Sequence, residues 1–260
     1  MQPMLIAPAH SPTGLEQQSY ARALLDQGRV ALMQPYFLPY LGYFQLIAAS
    51  DCFVLYDNAQ FIKNGWIERN RYLLDGNAKW FGLPLAKGKH TQVIKERTVS
   101  PHFDRGALIN KLAFAYRKAP HVERTVTWLS ELLKLPADNV AEFNEIALRS
   151  CCSLLRIHTP ILRASEWAAA SEHRGQGRVI EIIQAVGGDS YLNPAAGGYL
   201  YDSSTFLEAG YSLELLEPVL PHYEQCGEPF VPGLSILDAL MFNELETVSA
   251  WARQGVLTHA

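Results

Sequence analysis

Polar and aromatic side chains are concentrated between residues 34 and 45, directly after a short apolar run at 30–33. The segment carries Gln34 and three tyrosines, Tyr36, Tyr40 and Tyr43. Its two prolines cannot continue a sheet ladder, so it is a shaped connection. Amides and phenols bind polar ligands by hydrogen bonds, and open α/β sheets place ligands at the carboxyl ends of their strands. The segment therefore predicts a ligand-binding loop, with a cap over the hydrophobic core as the alternative.

A second polar segment, residues 57–71, follows the apolar run at 52–56. Its candidate site residues are Asp57, Gln60, Arg69, Asn70 and Arg71. Because neighbouring parallel strands end at the same edge, we expect the two segments to form one crevice. The arginines would hold a carboxylate or phosphate, and Asp57 would bind an amine or act as a base. Tyr40 and Tyr43 would orient or polarise the reacting group. A solvated basic helix face is the alternative for the second segment.

Two later segments carry weaker signals. The first has a pair of glycines, Gly197 and Gly198, followed by Tyr199 and Asp202. Paired glycines let backbone N–H groups point at an anion, but they also suit a plain tight turn. In the second, Ser235 and Asp238 have the spacing of a helix N-cap close to a capping box. In the other interpretation, Asp238 and Asn243 face a pocket.

Metal and nucleophile patterns are absent from the sequence. No histidines lie at metal-ligand spacing, and no Cys-x-x-Cys pair, nucleophile elbow or Walker loop occurs. The four cysteines are Cys52, Cys151, Cys152 and Cys226. They are predicted to be reduced, buried and small hydrophobic in character. We predict no metal; the cofactor stays open, with ATP or another nucleotide as candidates.

The elements that position these residues begin with a strand at 30–33, a helix at 43–49 and a strand at 52–56, a compact parallel βαβ unit. Further strands are predicted at 79–85, 93–99, 160–164, 190–192 and 212–216. Further helices are predicted at 13–27, 101–116, 122–133, 141–155, 178–186, 205–209 and 236–250. The predicted class is α/β, with a Rossmann-like parallel sheet in the N-terminal part and a mostly helical remainder.

Length and composition agree with a globular chain. The 260 residues are 48% hydrophobic and 18% charged, enough for a substantial core. We expect an accessory arm and helix at 1–29 and an α/β domain at 30–260, with a weak subdivision near 135–138.

A net charge of −4 disfavours nucleic acid as a partner and leaves a small molecule as the expected one. Neither a signal peptide nor an unbroken apolar stretch of about 20 residues is present, so we expect a cytoplasmic protein without membrane insertion. The oligomeric state stays open.

The chain also resembles the WbqC-like protein family. The matching runs are 33–44, 57–61, 66–71, 143–144, 191–192, 197–202 and 234–238, together with Asn243. They cover nearly the whole chain in the family's order. Glu244 stands where a glycine is common, and the arm at 1–29 is additional. The resemblance adds Asn144 to the candidate substrate-binding residues.

This resemblance implies a biosynthetic transferase or ligase acting on an amino acid or a nucleotide-linked amino sugar, in surface polysaccharide or small natural-product biosynthesis. The alternative is a non-catalytic protein that binds a nucleotide or amino sugar as a partner in a biosynthetic complex. The lack of a conventional nucleophile or metal site favours that alternative.

The run from Pro39 to Tyr43 is also similar in placement to the His-x-Gly-His motif of nucleotidylyl transferases and class I synthetases. Tyrosines stand at both histidine positions. Neutral phenols stabilise a phosphate leaving group less well than histidines do. The similarity therefore implies a shared fold more than a shared reaction.

Overall fold

The computed structural model describes residues 28–168, 172–227 and 229–259. The helix predicted at 13–27, and nearly all of the arm at 1–29, lie outside this range. The strands are β1 (Arg29–Met33), β2 (Cys52–Leu55), β3 (Arg69–Leu74), β4 (Asn77–Gly82), β5 (Ile161–Arg163), β6 (Ser190–Pro194), β7 (Ser212–Glu217) and β8 (Val256–His259). The α-helices are α1 (Leu41–Ala49), α2 (Arg105–Ala115), α3 (Val122–Lys134), α4 (Val140–Leu154), α5 (Ala164–Trp167), α6 (Gly175–Val186), α7 (Ser203–Glu208), α8 (Ile236–Phe242) and α9 (Leu245–Trp251). Short 3-10 helices lie at Ile94–Glu96 and Ala195–Leu200.

Six strands form one sheet in the order β5-β2-β1-β6-β7-β8. The first five are mutually parallel, and β8 pairs antiparallel with β7. The predicted parallel βαβ unit is confirmed by the pairing of β1 with β2. The sheet is not limited to the N-terminal part, because β5 to β8 come from residues 161–259. Short strands far apart in the chain pair only after the intervening helices have packed, which local patterns do not reveal.

Alternating side chains of the sheet serve two cores. Ala31 and Phe53 face a large core that also holds residues of α1 and α4. Val30 and Val54 face a smaller core filled from α6 and α7. This alternation is the period of two expected for strands buried on both faces. The result is a sheet between two helical layers, a mixed α/β architecture.

The strands β3 and β4 form a separate antiparallel hairpin. Its turn residues Asp75 and Gly76 have φ of 48° and 72°, the positive values that a type I′ turn requires. Phe81 of this hairpin packs on Phe37, with ring centroids 5.4 Å apart. The hairpin therefore reaches the loop that follows β1. The predicted strand at 79–85 starts earlier and ends at Gly82, before Pro84.

Three predictions of secondary structure need correction. The single helix predicted at 236–250 is two helices, because Asn243 is extended and turns its amide back to the Ala239 carbonyl at 3.0 Å. The segment 93–99 contains a 3-10 turn with isolated bridges rather than a strand. The strands β3 and β8 were not predicted, and β3 replaces the basic helix face that was the alternative for residues 57–71.

The cysteines are free, as predicted, and three of them, Cys52, Cys151 and Cys152, are buried. Burial raises the pKa of the Cys52 and Cys152 thiols to about 12, so both are protonated at neutral pH. Over the described ranges, the helices are all too short or too polar to cross a membrane.

Candidate functional site

The loop after β1, residues 34–40, is held by buried side chains from distant parts of the chain. The Tyr43 hydroxyl donates to the Gln34 carbonyl at 2.7 Å. The Asn144 amide donates to the Pro35 carbonyl at 2.8 Å and to the Ile67 carbonyl at 2.8 Å. Asn144 is fully buried and Tyr43 is 2% exposed. Both side chains therefore anchor the first half of this loop.

The second half of the loop is anchored in the same way. The Asn70 amide donates to the carbonyls of Phe37 and Leu38 at 3.0 and 2.8 Å. The Ser235 hydroxyl donates to the Leu38 carbonyl at 2.7 Å. Asn70 is 2% exposed and Ser235 is 1% exposed. Buried amides and hydroxyls need partners, and here the partners are the carbonyls of one loop.

Backbone contacts complete the restraint. The Phe37 N–H donates to the Trp66 carbonyl at 2.9 Å, and the Ile236 N–H donates to the Pro39 carbonyl at 2.8 Å. Leu38 has φ of 42°, a left-handed conformation that costs a residue other than glycine about 1 kcal/mol or more. Such strain persists only where the surroundings fix it. The loop is therefore held in one conformation.

The side chains that this loop leaves half-buried are Gln34, Tyr36 and Tyr40. Burial raises the pKa of the Tyr36 hydroxyl, and the neighbouring Tyr40 hydroxyl raises it further. Burial also raises the pKa of Tyr40, with a smaller contribution from the Glu217 carboxylate. Both phenols are thus neutral at physiological pH and can donate hydrogen bonds to a polar ligand.

Tyr43 differs from its two neighbours because it lies in the core. Its ring packs between Tyr36 and Phe53, with centroids 5.6 and 5.4 Å away. Burial raises the pKa of its hydroxyl well above the usual value. The hydroxyl already donates to the Gln34 carbonyl, so its place in the structure is that of an anchor.

The first turn of α1 is covered by Tyr40. A Cβ on Gly42 would lie 2.5 Å from Cε2 of Tyr40 and 2.8 Å from Cβ of Pro218. The space left by this glycine is therefore filled by protein atoms. The turn has no side-chain cap, and its Tyr43 N–H donates to the Tyr40 carbonyl at 3.1 Å.

The carboxylate of Asp57, at the end of β2, binds the start of α5. The Ser165 N–H donates to its Oδ1 at 2.9 Å, and the Ser165 hydroxyl donates to its Oδ2 at 2.5 Å. Asp57 is buried. Gln60 is exposed and donates to the His90 carbonyl at 3.3 Å. The structure thus places Asp57 near the carboxyl edge of the sheet and Gln60 at the surface.

The two arginines of β3 form a stack with two tryptophans. The Arg69 guanidinium lies 4.1 Å from the Trp80 ring centroid, and that of Arg71 lies 5.7 Å from the Trp66 centroid. The two indoles are 5.4 Å apart. Among the described residues neither arginine has a carboxylate partner. Arg71 donates to the Gly233 carbonyl at 3.2 Å, and Arg69 donates to the Asn64 carbonyl.

The segment after β6 is exposed. Tyr199 is 85% exposed and Leu200 is 61% exposed. Gly198 lies against Leu215, since a Cβ there would be 3.1 Å from Cδ1 of that leucine. Asp202 caps α7 by accepting from the Ser204 N–H at 3.0 Å. The Ser204 hydroxyl and N–H donate to this carboxylate and lower the pKa of Asp202.

Asp238 lies at the centre of a buried hydrogen-bond network in the first turn of α8. It accepts from the hydroxyls of Tyr116 and Tyr223 at 2.9 and 2.7 Å and from the Gln225 amide at 2.6 Å. Burial raises the pKa of Asp238, although the three donors oppose that rise. Ser235 caps α8, as predicted, and Asn243 ends it.

No sequence pattern pointed to two further buried polar groups. Gln45 donates to the Val219 and Trp251 carbonyls at 2.7 and 2.8 Å and so ties α1 to the C-terminal segments. Glu145, on α4, is paired with Arg149 at 2.8 Å and with Arg163. The i, i+4 spacing of Glu145 and Arg149 is the one signal that could have indicated this ion pair. Among the described side chains, no cluster of three or more His, Cys, Asp or Glu groups could hold a metal ion.

Comparisons with known proteins agree with the sequence resemblance. A family model described as the WbqC-like protein family matches residues 34–250. The uncharacterized protein Rv1507c of Mycobacterium tuberculosis is 30% identical over 219 residues, which cover 83% of this chain and 93% of that protein. No solved structure matches the chain significantly. The chain belongs to the WbqC-like protein family.

Proposed function

We propose that this protein is a cytoplasmic biosynthetic transferase or ligase that binds an amino acid or a nucleotide-linked amino sugar beside the loop after β1. The observation that carries the proposal is the anchoring of this loop. Four buried side chains hold its carbonyls, while Gln34, Tyr36 and Tyr40 stay half-buried and able to donate hydrogen bonds. Fixed polar groups of this kind are typical of a binding site on a rigid scaffold.

The sheet order supports this location. Numbered in chain order, the six strands of the large sheet read 3-2-1-4-5-6. This is the order of doubly wound sheets, which bind nucleotides where the strand order reverses. Here the reversal lies between β1 and β6, and α1 and α6 pack on opposite faces. The loop after β1 lies at that crevice, which makes ATP or another nucleotide a candidate cofactor.

The candidate residues divide by accessibility. We assign ligand contact to Gln34, Tyr36 and Tyr40, and anion binding to Arg69 and Arg71, which no carboxylate of the described residues neutralises. The buried anchors Tyr43, Asn70, Asn144 and Ser235 position the loop. Gln60, Gly198, Tyr199 and Asp202 line or border the approach to the crevice in this proposal. Asp57 orients α5 at the same edge.

A second candidate function is binding without catalysis, as a partner in a biosynthetic complex. The observation that favours it is the filling of the space above Gly42 by Tyr40 and Pro218. A phosphate at the first turn of α1 would need that space. In addition, both carboxylate oxygens of Asp57 already have donors.

The test is a ligand screen followed by an assay for turnover. Thermal shift with ATP, amino acids and nucleotide-linked amino sugars is expected to find a stabilising class, and mass spectrometry then reports any product. Tyr40→Phe should weaken binding by about tenfold, one hydrogen bond of roughly 1.4 kcal/mol, without lowering the melting temperature. Tyr211→Phe, at a half-buried tyrosine directly before β7 and so at the opposite edge of the sheet, is the matched control.

Three outcomes separate the proposals. Stabilisation with product supports the transferase or ligase, and stabilisation without product supports the binding protein. If no class stabilises the protein, or if the control weakens binding as much as Tyr40→Phe, the location of the site is wrong.

A further inference from the structure

A cavity of about 400 Å³ lies beside the turn of the β3–β4 hairpin, away from the loop after β1. Its walls are that turn, the end of α2 with the residues that follow it, and the segment 226–227. This volume lies within the range of small-molecule pockets, roughly 300–1,000 Å³. The cavity contains no residue assigned to the crevice above.

The inner wall of the cavity is apolar. It is formed by Leu73, Tyr116 and Phe242, and the two aromatic rings meet edge to face at 5.9 Å. The Tyr116 hydroxyl donates to Asp238 and accepts from the Leu73 N–H at 2.9 Å. Tyr116 is 1% exposed and Leu73 is 3% exposed, so the apolar surface open to the cavity is mainly that of the half-buried Phe242. An apolar group of a ligand would bind here.

Charged groups of both signs stand on the outer wall. Asp75, Arg117 and Lys118 line the cavity and are exposed to solvent. Within the described part of the chain none of the three forms an ion pair. The Arg117 guanidinium stacks on the Phe114 ring at 4.4 Å, which holds it in place. Unpaired charges of both signs at one opening complement a zwitterion.

The loop that closes the cavity is fixed by the Asp238 network. Gln225 donates to Asp238 and exchanges two hydrogen bonds with the backbone of Val231 at 3.1 and 2.9 Å. Gly227 follows with φ of 126°, and a Cβ there would lie 3.0 Å from Cα of Gly76. Because Gly76 and Gly227 have no side chains, the hairpin turn and the segment 226–227 can pack in direct backbone contact. Through Gln225, buried Asp238 therefore helps to shape one wall of this cavity.

We propose that this cavity binds an α-amino acid with an apolar side chain. The carboxylate pairs with Arg117 and Lys118, and the ammonium group pairs with Asp75. The carbonyl end of the α2 dipole, at Ala115, also attracts the ammonium group. The side chain lies on the half-buried Phe242. This inference does not rest on the function proposed for the crevice, and it holds whether the amino acid is a substrate or a regulator.

The test uses isothermal titration calorimetry with L-phenylalanine and L-leucine on the whole protein. Two analogues remove one charge each: 3-phenylpropionate lacks the ammonium group, and phenethylamine lacks the carboxylate. We expect an amino acid to bind and each analogue to bind at least about tenfold more weakly, because each leaves a charged group of the cavity unpaired.

Variants locate the binding. Asp75→Asn and the double variant Arg117→Ala/Lys118→Ala should each weaken binding at least about tenfold. Their matched controls, Glu208→Gln and Arg105→Ala, change exposed charges elsewhere and should leave it unchanged. Ala115→Trp should fill the cavity and abolish binding; if it unfolds, the charge variants still decide. The inference is overturned if neither amino acid binds, if the analogues bind equally well, or if the charge variants match their controls.

Discussion

Two loops follow the neighbouring parallel strands β1 and β6, and they are held in different ways. The loop after β1 is anchored by Tyr43, Asn70, Asn144 and Ser235, which come from four different parts of the chain. The segment after β6, residues 195–202, has an internal bond from the Tyr201 N–H to the Gly198 carbonyl at 3.1 Å. Two bonds near its end tie it to other elements: the Asp202 N–H donates to Gln176 at 3.1 Å, and the Tyr191 hydroxyl donates to that of Tyr201 at 3.2 Å. The segment leaves a tyrosine and a leucine largely in solvent.

The residues of the family's matching runs have two kinds of structural role. Among the polar residues of the matching runs, Asn70, Asn144 and Ser235 are buried and bind backbone carbonyls. Their side chains are occupied in building one rigid loop. The half-buried polar side chains Gln34, Tyr36 and Tyr40 lie on the loop that the buried ones hold.

The largest effect is expected at Asn144. Asn144→Ala would leave the carbonyls of Pro35 and Ile67 buried without that donor. We expect a loss of about 3 kcal/mol in the free energy of unfolding, measured by urea denaturation. Asn77→Ala, at an exposed amide that bonds only its neighbour Asp75, is the control and should cost under about 0.5 kcal/mol. Equal losses in the two variants would mean that the loop is not anchored as described.

A smaller loss is expected at Ser235, which both caps α8 and holds Leu38. Ser235→Ala should lower the free energy of unfolding by about 2 kcal/mol, and Ser235→Thr should restore part of it. The exposed Ser203, in the first turn of α7, is a control whose change to alanine should be nearly neutral. A neutral Ser235→Ala would remove this residue from the anchors.

Tyr43→Phe removes one hydroxyl from the core. It deprives the Gln34 carbonyl of its donor, so we expect a loss of about 1 kcal/mol together with weaker ligand binding. Had Tyr43 been an accessible catalytic group, turnover would fall without any loss of stability. Comparing chemical denaturation with ligand affinity for the same variant distinguishes the two.

The smallest effect is expected in the segment after β6. Tyr199→Ala removes a ring that is 85% exposed and should change the free energy of unfolding by under about 0.5 kcal/mol. A loss comparable to that of Ser235→Ala would show that this segment is as firmly held as the loop after β1, and the comparison would fail.

The sequence predicted the elements with a strong local signal. Continuous apolar runs indicated β1 and β2. The helix predicted at 178–186 ends as predicted, at Val186, and is followed by Gly187 with φ of 82°. The strand β8 was not predicted because its pairing partner β7 lies about 40 residues earlier, and pairing between distant strands produces no pattern in the local sequence. The helix break at Asn243 was not predicted because an asparagine inside an apolar helical pattern is only a weak signal for the end of a helix.

The contact between the two polar segments was predicted. The segments 34–45 and 57–71 do meet, as the bonds from Asn70 to Phe37 and Leu38 show. Which residues anchor and which stay accessible could not be predicted. Asn144 and Pro35 are 109 residues apart, and Ser235 and Leu38 are 197 apart. A polar residue bound to a distant carbonyl has the same local pattern as one that binds a ligand.

The central claim is that the loop after β1 opens less easily than the segment after β6, because buried side chains anchor it. Native-state hydrogen exchange measures the free energy of opening at single amides. The Phe37 amide, buried and bonded to Trp66, should open with nearly the free energy of global unfolding, and the Leu200 amide should open several kcal/mol more easily. Equal opening free energies at the two amides would contradict the claim.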